Sequence, residues 1–420
     1  MTSDSVFSSV GSTVSERNST MSGYLPPHSR EGPQSSLVLT DYDLRIANID
    51  GEGGSGGEYW LTLPPDVVPT TKTLITIGPK EKPLLKVQPV GFGCWPWGDV
   101  LSYGWGPSGG YDQNLNDDSV RDAWRTIFAH SSIAMLDTAE HYGYTDGYSE
   151  KSIGRNWAFD TEEGKADRSK IVYATKYLPT PWRHPWKYPD IVLNAFRGSL
   201  ERTALGDIDI YQIHGPSHFG VWPRLDTLLD SLAKAYELGH IKAIGTCNFG
   251  FEKVKYVYTR LKQRNVPLVS NQVEFSLLRQ DPWSTGLIEK CLKLGIITIA
   301  YSPLAVGRLT GKYSSSKPPR GNRNFGDLAW AKIQPVVDEL SRIGAKEGKT
   351  PSAVALNWVI CKGAIPIPGV KNGVQVKDCL QAMGWRLSKE DEGRLDVLGL
   401  TNSWDWNLLK HFQNWWWQQG

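Results

Sequence analysis

The stretch AMLDTAEHYG, residues 134–143, passes from apolar residues directly into Asp137, Glu140, His141 and Tyr142, four groups able to exchange protons or pair charge. Lys176 at the end of KIVYATK (170–176) and His214 at the end of IDIYQIH (208–214) stand in the same kind of place. Brought together, Asp137, Tyr142, Lys176 and His214 suit the reduction of a carbonyl. A phenol with its ordinary pKa near 10 is a poor acid at neutral pH, and a nearby ammonium lowers that value by stabilising the phenolate. Lys176 would supply the ammonium, Asp137 would hold it in position, and Tyr142 would deliver a proton to oxygen. A neutral His214 would donate an N–H to the same oxygen and orient the substrate. The hydride has to come from a cofactor.

Such a set needs elements that bring distant residues to one rim. From about residue 72 the chain alternates short β-branched runs with longer amphipathic segments, the mark of repeated β-α units around a parallel sheet. Eight strand candidates lie at 89–95, 133–137, 170–176, 208–214, 241–248, 267–275, 296–302 and 364–369. Eight is the number that a closed (β/α)8 TIM barrel requires. Helical segments between them include 117–130, 189–205, 222–239, 250–265 and 282–295, and in 350–363 Thr350 is a natural N-cap with Pro351 at the first helical position. Ahead of the first barrel strand, TLITIGPKEKPLLKVQ reads as a β-hairpin that plugs the N-terminal mouth. Asp137, Lys176, His214, Asn248, Gln272 and Tyr301 all fall at strand C-termini, the face on which barrel active sites are built.

The bulk properties narrow the function. Lys and Arg number 46 against 44 Asp and Glu, so no strong field points to nucleic acid or an anionic membrane. A small, roughly neutral substrate is the expectation. Five widely spaced cysteines without a C-x-x-C pair or a zinc-spaced His cluster fit a reduced, intracellular protein and no metal site, which also removes a metal-dependent barrel hydrolase. No apolar run is long enough for a transmembrane helix. Gly51 to Gly56 matches G-x-G-x-x-G, but Pro64 and Pro65 follow where a helix N-terminus would have to hold a pyrophosphate, so the match reads as linker. The division expected is a disordered or linker extension over 1–70, the barrel over 71–400 and a Trp-rich tail over 401–420. The Ser/Thr-rich start leaves a plastid transit peptide as the alternative to a cytoplasmic location, although Asp4, Glu16 and Glu31 are unwelcome in one.

These residues resemble the aldo-keto reductases. The resemblance covers roughly residues 74–397 and rests on LDTAEHYG, ATK, YQIH, IGTCNF, NQVEFSLL, YSPLAVGRLTGKY and IPIPGVKNGVQ. It implies Asp137, Tyr142, Lys176 and His214 as a catalytic tetrad, gives Glu140 and His141 no catalytic role, and implies NADPH bound in extended form across the barrel mouth without a Rossmann domain. On that resemblance Asn248 and Gln272 would hydrogen-bond the nicotinamide amide and Tyr301 would stack on its ring. Ser302 and Leu304, with the loop to Lys312, would wrap the pyrophosphate, and Gly369 falls in the same cofactor-binding set. Lys371 would take the 2′-phosphate and so favour NADP over NAD, with Gln375 near the adenosine. Two departures stand out: Cys247 replaces the serine usual before the asparagine, and Cys379 ends a weakened adenine motif, so cofactor affinity is expected to be modest.

Within the family, GFGCWPWGD, LTGKYSSSKPP, NWVICKGAIPIPG and MGWRLS are most similar to the plant and cyanobacterial chloroplast-type reductases, pyridoxal reductase among them, which implies an aromatic or otherwise bulky aldehyde as substrate. Trp97 and Trp105, in the long segment after the first barrel strand, are candidate stacking residues, and Arg183 could meet an anionic substituent. In the tail, Trp415, Trp416 and Trp417 cannot share one helix face, so it either packs on the barrel exterior or contacts a protein partner or a membrane surface. The competing function is a non-catalytic redox-sensing or scaffold subunit with an NADPH-binding barrel. A complete set of four reactive groups argues against it.

Overall fold

The computed structural model describes residues 60–106, 112, 114–143, 147–179, 188–216, 225–318 and 328–400. Residues 1–59 of the expected extension, the tail with its three tryptophans and Arg183 lie outside the described residues, whereas residues 60–70 are described and bury Leu61 and Leu63 in the core. Strands β1 (Ile75–Ile77) and β2 (Leu85–Val87) pair antiparallel as the expected hairpin. Its Ile75, Ile77 and Val87 are buried and β2 packs on the barrel strand Ile171–Tyr177, so the hairpin closes the N-terminal mouth.

The barrel follows as β3 (Phe92–Gly93), β4 (Ala134–Asp137), β5 (Ile171–Tyr177), β6 (Ile208–Ile213), β7 (Ile241–Cys247), β8 (Leu268–Glu274), β9 (Ile297–Tyr301) and β10 (Ala364–Pro366). Each pairs parallel with the next in chain order. The ring is closed between its ends by Gly91 N–H to Pro366 O at 3.0 Å and Gly93 N–H to Pro368 O at 2.9 Å. This is a (β/α)8 barrel. β5 and β6 are buried at every position because side chains on one face fill the barrel and those on the other meet the helices, which is why these strands read as apolar runs rather than alternations.

The helices expected between the strands are present at Asp117–His130, Asp190–Thr203, Leu225–Glu237, Phe251–Lys262 and Pro351–Cys361, the last capped by the Thr350 side chain, which accepts from Ala353 N. The single helix expected over 282–295 is two, Asp281–Ser284 and Leu287–Lys293, because Gly286 takes a left-handed conformation at φ 74° and breaks the first from the second. The helix Tyr148–Glu162 has no counterpart in the sequence reading. Its buried face includes Ser149, Glu150, Ser152 and Asn156, so it lacks the apolar stripe by which helices are usually found.

Register places the reactive groups. Asp137 ends β4 opposite Ala174 of β5, and Lys176 lies two residues further along β5 on the same face, so it reaches Asp137 diagonally across the strand pair. Lys176 in turn faces Gln212 of β6. Gly245 of β7 leaves room inside the barrel: a Cβ there would sit 2.5 Å from Ser270 Oγ and 2.8 Å from Gln212 Cγ. Gly245→Ala should therefore cost about 1–3 kcal/mol, the range for overpacking a filled core, read as a lower urea midpoint at unchanged slope. A neutral effect would mean that the barrel interior is looser than drawn.

Candidate active site

At the C-terminal rim of the barrel opens a cleft of about 590 Å³, within the usual size range for a small-molecule site. Asp137, Tyr142 and His214 line one part of it, and Asn248, Gln272, Tyr301, Ser302, Leu304, Lys312, Gly369, Lys371 and Gln375 line the rest. All nine expected cofactor residues thus share one cavity with the expected reactive groups. Lys176 lies just beneath it and is fully buried.

The buried ammonium organises the floor. Lys176 Nζ donates to Asp137 Oδ1 at 2.5 Å, to Thr138 O at 2.9 Å and to Tyr142 OH at 3.3 Å. An ammonium has three donors, so these bonds saturate it. The second carboxylate oxygen of Asp137 accepts from Gln212 Nε2 at 3.0 Å and Gln272 Nε2 at 2.7 Å. Since Lys176 donates to the Tyr142 oxygen, the phenol's own proton is left to point away from Lys176. The Tyr142 ring lies edge-on to His214 with centroids 5.7 Å apart, and His214 is held through its backbone, N–H to Tyr177 O at 2.9 Å and O from Asn248 Nδ2 at 3.1 Å.

Burial is the largest single influence and works against the Lys176 ammonium, but the charge and hydrogen bond of Asp137, with Tyr142 and Cys247, together outweigh it, and the lysine is held above its ordinary pKa. Tyr142 departs from the sequence expectation. Burial pushes its phenol up to about 12, and although Lys176 pulls the other way, as expected, it is the weaker influence. A phenol this far removed from water keeps its proton throughout the neutral range. Burial likewise pushes the Cys247 thiol up to about 12, which leaves it protonated beside Asn248, whose Nδ2 is 3.1 Å from the sulfur.

The remainder of the cleft is shaped by backbone strain. Ser302, Ala305 and Val306 all have positive φ, at 50°, 48° and 54°, and Gly307 follows at 96°. Three such non-glycine residues in one turn, each costing about 1–3 kcal/mol, are held only where surrounding structure over-determines them. Turns that pass from right- to left-handed backbone in this way gather N–H groups into concavities suited to anions. Asn248 sits at φ 66°, and its Oδ1 accepts from Tyr301 OH at 2.9 Å, fixing the tyrosine ring on the wall.

Two expected substrate residues fall elsewhere. Trp97 is fully buried in the core, and its indole N–H donates to Val370 O at 2.8 Å. Trp105 packs edge-on against Tyr148 at 5.3 Å, away from the cleft. Trp95 takes the place expected for Trp97: it is 37 % exposed, lines the cleft, and lies nearly parallel to Tyr142 with centroids 5.9 Å apart. Its N–H is anchored to Asp99 Oδ2 at 2.9 Å. In the turn after β3 only Trp95 stands outward, while Cys94, Pro96 and Trp97 on either side of it are buried. Tyr103, which belongs to the aromatic segment after the first barrel strand, and His141, which was given no catalytic role, also line the cleft, as does Leu178, which has no part in the sequence reading. His141 shares a loop with the buried Glu140, whose Oε1 accepts from Leu178 N at 2.9 Å and so ties the loop after β5 to the loop after β4.

The family signature matches across residues 90–399, and the chain belongs to the aldo/keto reductase family of oxidoreductases. It is 36 % identical over 341 residues to the chloroplastic pyridoxal reductase of Arabidopsis thaliana, covering 78 % of this chain and 90 % of that protein. It is 32 % identical over 319 residues to an uncharacterised oxidoreductase of Mycobacterium bovis, covering 74 % and 88 %. Among solved structures, the glycerol dehydrogenase of Gluconobacter oxydans shares the fold with a TM-score of 0.62 at 24 % identity, over 80 % of this chain and 99 % of that one.

The two tryptophans should separate in experiment. Trp97→Ala is expected to lower stability by about 3–5 kcal/mol, as for a buried large-to-small change, and Trp95→Ala by less than about 1 kcal/mol. Urea denaturation monitored by far-UV circular dichroism reads both, and equal losses would contradict their assignment to core and wall.

Proposed function

We propose that this protein reduces an aldehyde or ketone to the alcohol with NADPH as reductant, Tyr142 giving the proton to oxygen. The observation that carries this reading is the saturated ammonium of Lys176, which donates to the Tyr142 oxygen and so directs the phenolic proton toward the cleft beside His214. When bound, NADPH supplies the hydride that the carbonyl carbon accepts. As that carbon is reduced, its oxygen becomes an alkoxide, a far stronger base than a phenolate, so proton transfer from Tyr142 is downhill even from a phenol pushed up to about 12. The phenolate left behind is stabilised by Lys176, whose charge is secured by Asp137. His214 orients the carbonyl oxygen by a hydrogen bond.

The cleft fits the cofactor. Asn248 and Gln272 would meet the nicotinamide amide; Gln272 has its NH₂ committed to Asp137, so its Oε1 would accept from that amide. Tyr301, fixed by Asn248, would offer its ring face. Ser302, Leu304 and Lys312 on the strained turn would hold the pyrophosphate, with Gly369 alongside. Lys371 would read the 2′-phosphate, with Gln375 near the adenosine.

The substrate we propose is a flat aromatic or bulky aldehyde such as pyridoxal. Trp95 and Tyr103 give the cleft an aromatic wall, with His141 a polar group beside them, and the Arabidopsis relative is named for pyridoxal reduction. That relative is chloroplastic, which supports the plastid alternative for this chain over the cytoplasmic reading. The catalytic unit would span 71–400, with the N-terminal extension and the Trp-rich tail outside it.

Tyr142→Phe should reduce turnover of pyridoxal by at least about 100-fold, the lower range for losing a general acid, while NADPH still binds. The raised pKa fixes the sign of the pH dependence: the donor is protonated at low and neutral pH and is lost only as pH rises toward about 12. Wild-type reduction should therefore show no alkaline limb from this group below about pH 10. Retained turnover in Tyr142→Phe, or a limb near pH 8 that belongs to Tyr142, would contradict the assignment.

A further inference from the structure

The phosphate end of the cleft is built differently from its chemical end. Lys371 Nζ lies 3.1 Å from Asp112 Oδ2 and 3.4 Å from Tyr103 O, and sits 5.5 Å from the centre of the Tyr103 ring. Its backbone N–H donates to Gln375 Oε1 at 2.9 Å. Next to it begins the helix Gly373–Leu380, where Asn372 caps Gln375 N and Asp122 Oδ2 accepts from Gly373 N at 2.7 Å. Two carboxylates from the segment between β3 and β4 thus meet the cation and an amide at the end of the cleft where a phosphate would have to be read.

We infer that Asp112 is an internal competitor for the phosphate on Lys371, and that it limits how strongly this protein prefers a dinucleotide with a 2′-phosphate over one without. The inference rests on the NADPH reading above. An ammonium that hydrogen-bonds a carboxylate at 3.1 Å cannot take a phosphate on the same side without bringing two anions together. Either Asp112 swings away or it stays and repels; both weaken the phosphate's hold on Lys371. A ribose 2′-hydroxyl is neutral and can donate to a carboxylate, so the same residue does not oppose NADH and can favour it. The cost is moderate because the Asp112 and Lys371 side chains are 30 % and 15 % exposed, and solvent partly screens the pair. Asp122 differs in kind: it bonds an amide N–H rather than the cation.

Equilibrium titration of the full chain with NADPH and with NADH, followed by tryptophan fluorescence, tests this without turnover. Asp112→Asn should tighten NADPH by about two- to fivefold, the range that a half-exposed ion pair supplies, and leave NADH within about twofold. In a Lys371→Ala background the same change should tighten NADPH clearly less, because only direct repulsion between Asp112 and the phosphate remains once the shared cation is gone. Asp112→Ala, checked for folding by its thermal melt, should repeat the asparagine result. Equal tightening of both cofactors, or tightening that is undiminished without Lys371, would overturn the competition. If wild type binds NADPH and Asp112→Asn binds it identically, this inference alone fails. If wild type binds neither dinucleotide, the NADPH reading fails and the inference with it.

Discussion

Everything at the rim depends on a charge pair placed where charges are most costly. Removing an ammonium and a carboxylate from water costs several kcal/mol per ion, and their attraction offsets this only with good geometry and further hydrogen bonds. Here both conditions hold. The three donors of Lys176 end on Asp137, Thr138 and Tyr142, and the second oxygen of Asp137 is held by two glutamine amides from β6 and β8. Four strands, β4, β5, β6 and β8, therefore contribute to one polar knot inside the barrel. Parallel register puts Lys176 within diagonal reach of Asp137, and the missing side chain of Gly245 leaves Gln212 the space it occupies. Tyr142 inherits its position from this knot through a single hydrogen bond.

The same arrangement separates two tasks along the cleft. At one end a half-buried, protonated phenol faces an aromatic wall formed by Trp95 and Tyr103. At the other, cations and a strained turn from Ser302 to Gly307 line the cavity. Tyr301 and Asn248 stand between them, bonded to each other, so the wall joining the two ends is rigid without a metal or a disulfide among the described residues. Asp112 adds a third element, a charge from outside the barrel strands that meets Lys371.

Much of this was legible in the chain because the signals are local. Eight β-branched runs survive as eight strands. Asp137, Lys176, His214, Asn248, Gln272 and Tyr301 were visible as polar residues terminating such runs; five of them line the cleft and Lys176 lies just beneath it. What escaped depended on tertiary contact. Trp97 and Trp95 are two residues apart in a turn, and only folding decides which indole finds the Val370 carbonyl and which faces the cleft. The helix at 148–162 hid because Glu150 is buried against Arg202, Tyr173 and Thr175, a polar interior that no hydrophobic periodicity reveals. The direction of the Tyr142 shift escaped for a related reason: proximity of Lys176 could be anticipated, but the degree of burial that outweighs it could not.

The central claim is that Asp137 and Lys176 act on the reaction as one unit through Tyr142. Single-turnover rates of pyridoxal reduction by NADPH in Asp137→Asn, Lys176→Met and the double variant test it most directly, with circular dichroism confirming that each variant is folded. Residues that act as a unit are strongly non-additive. The account predicts that the double variant is no slower than the slower single variant, because removing either partner already leaves Tyr142 without its positioned ammonium. Losses that multiply would mean that the two residues serve the reaction independently, and would contradict the account.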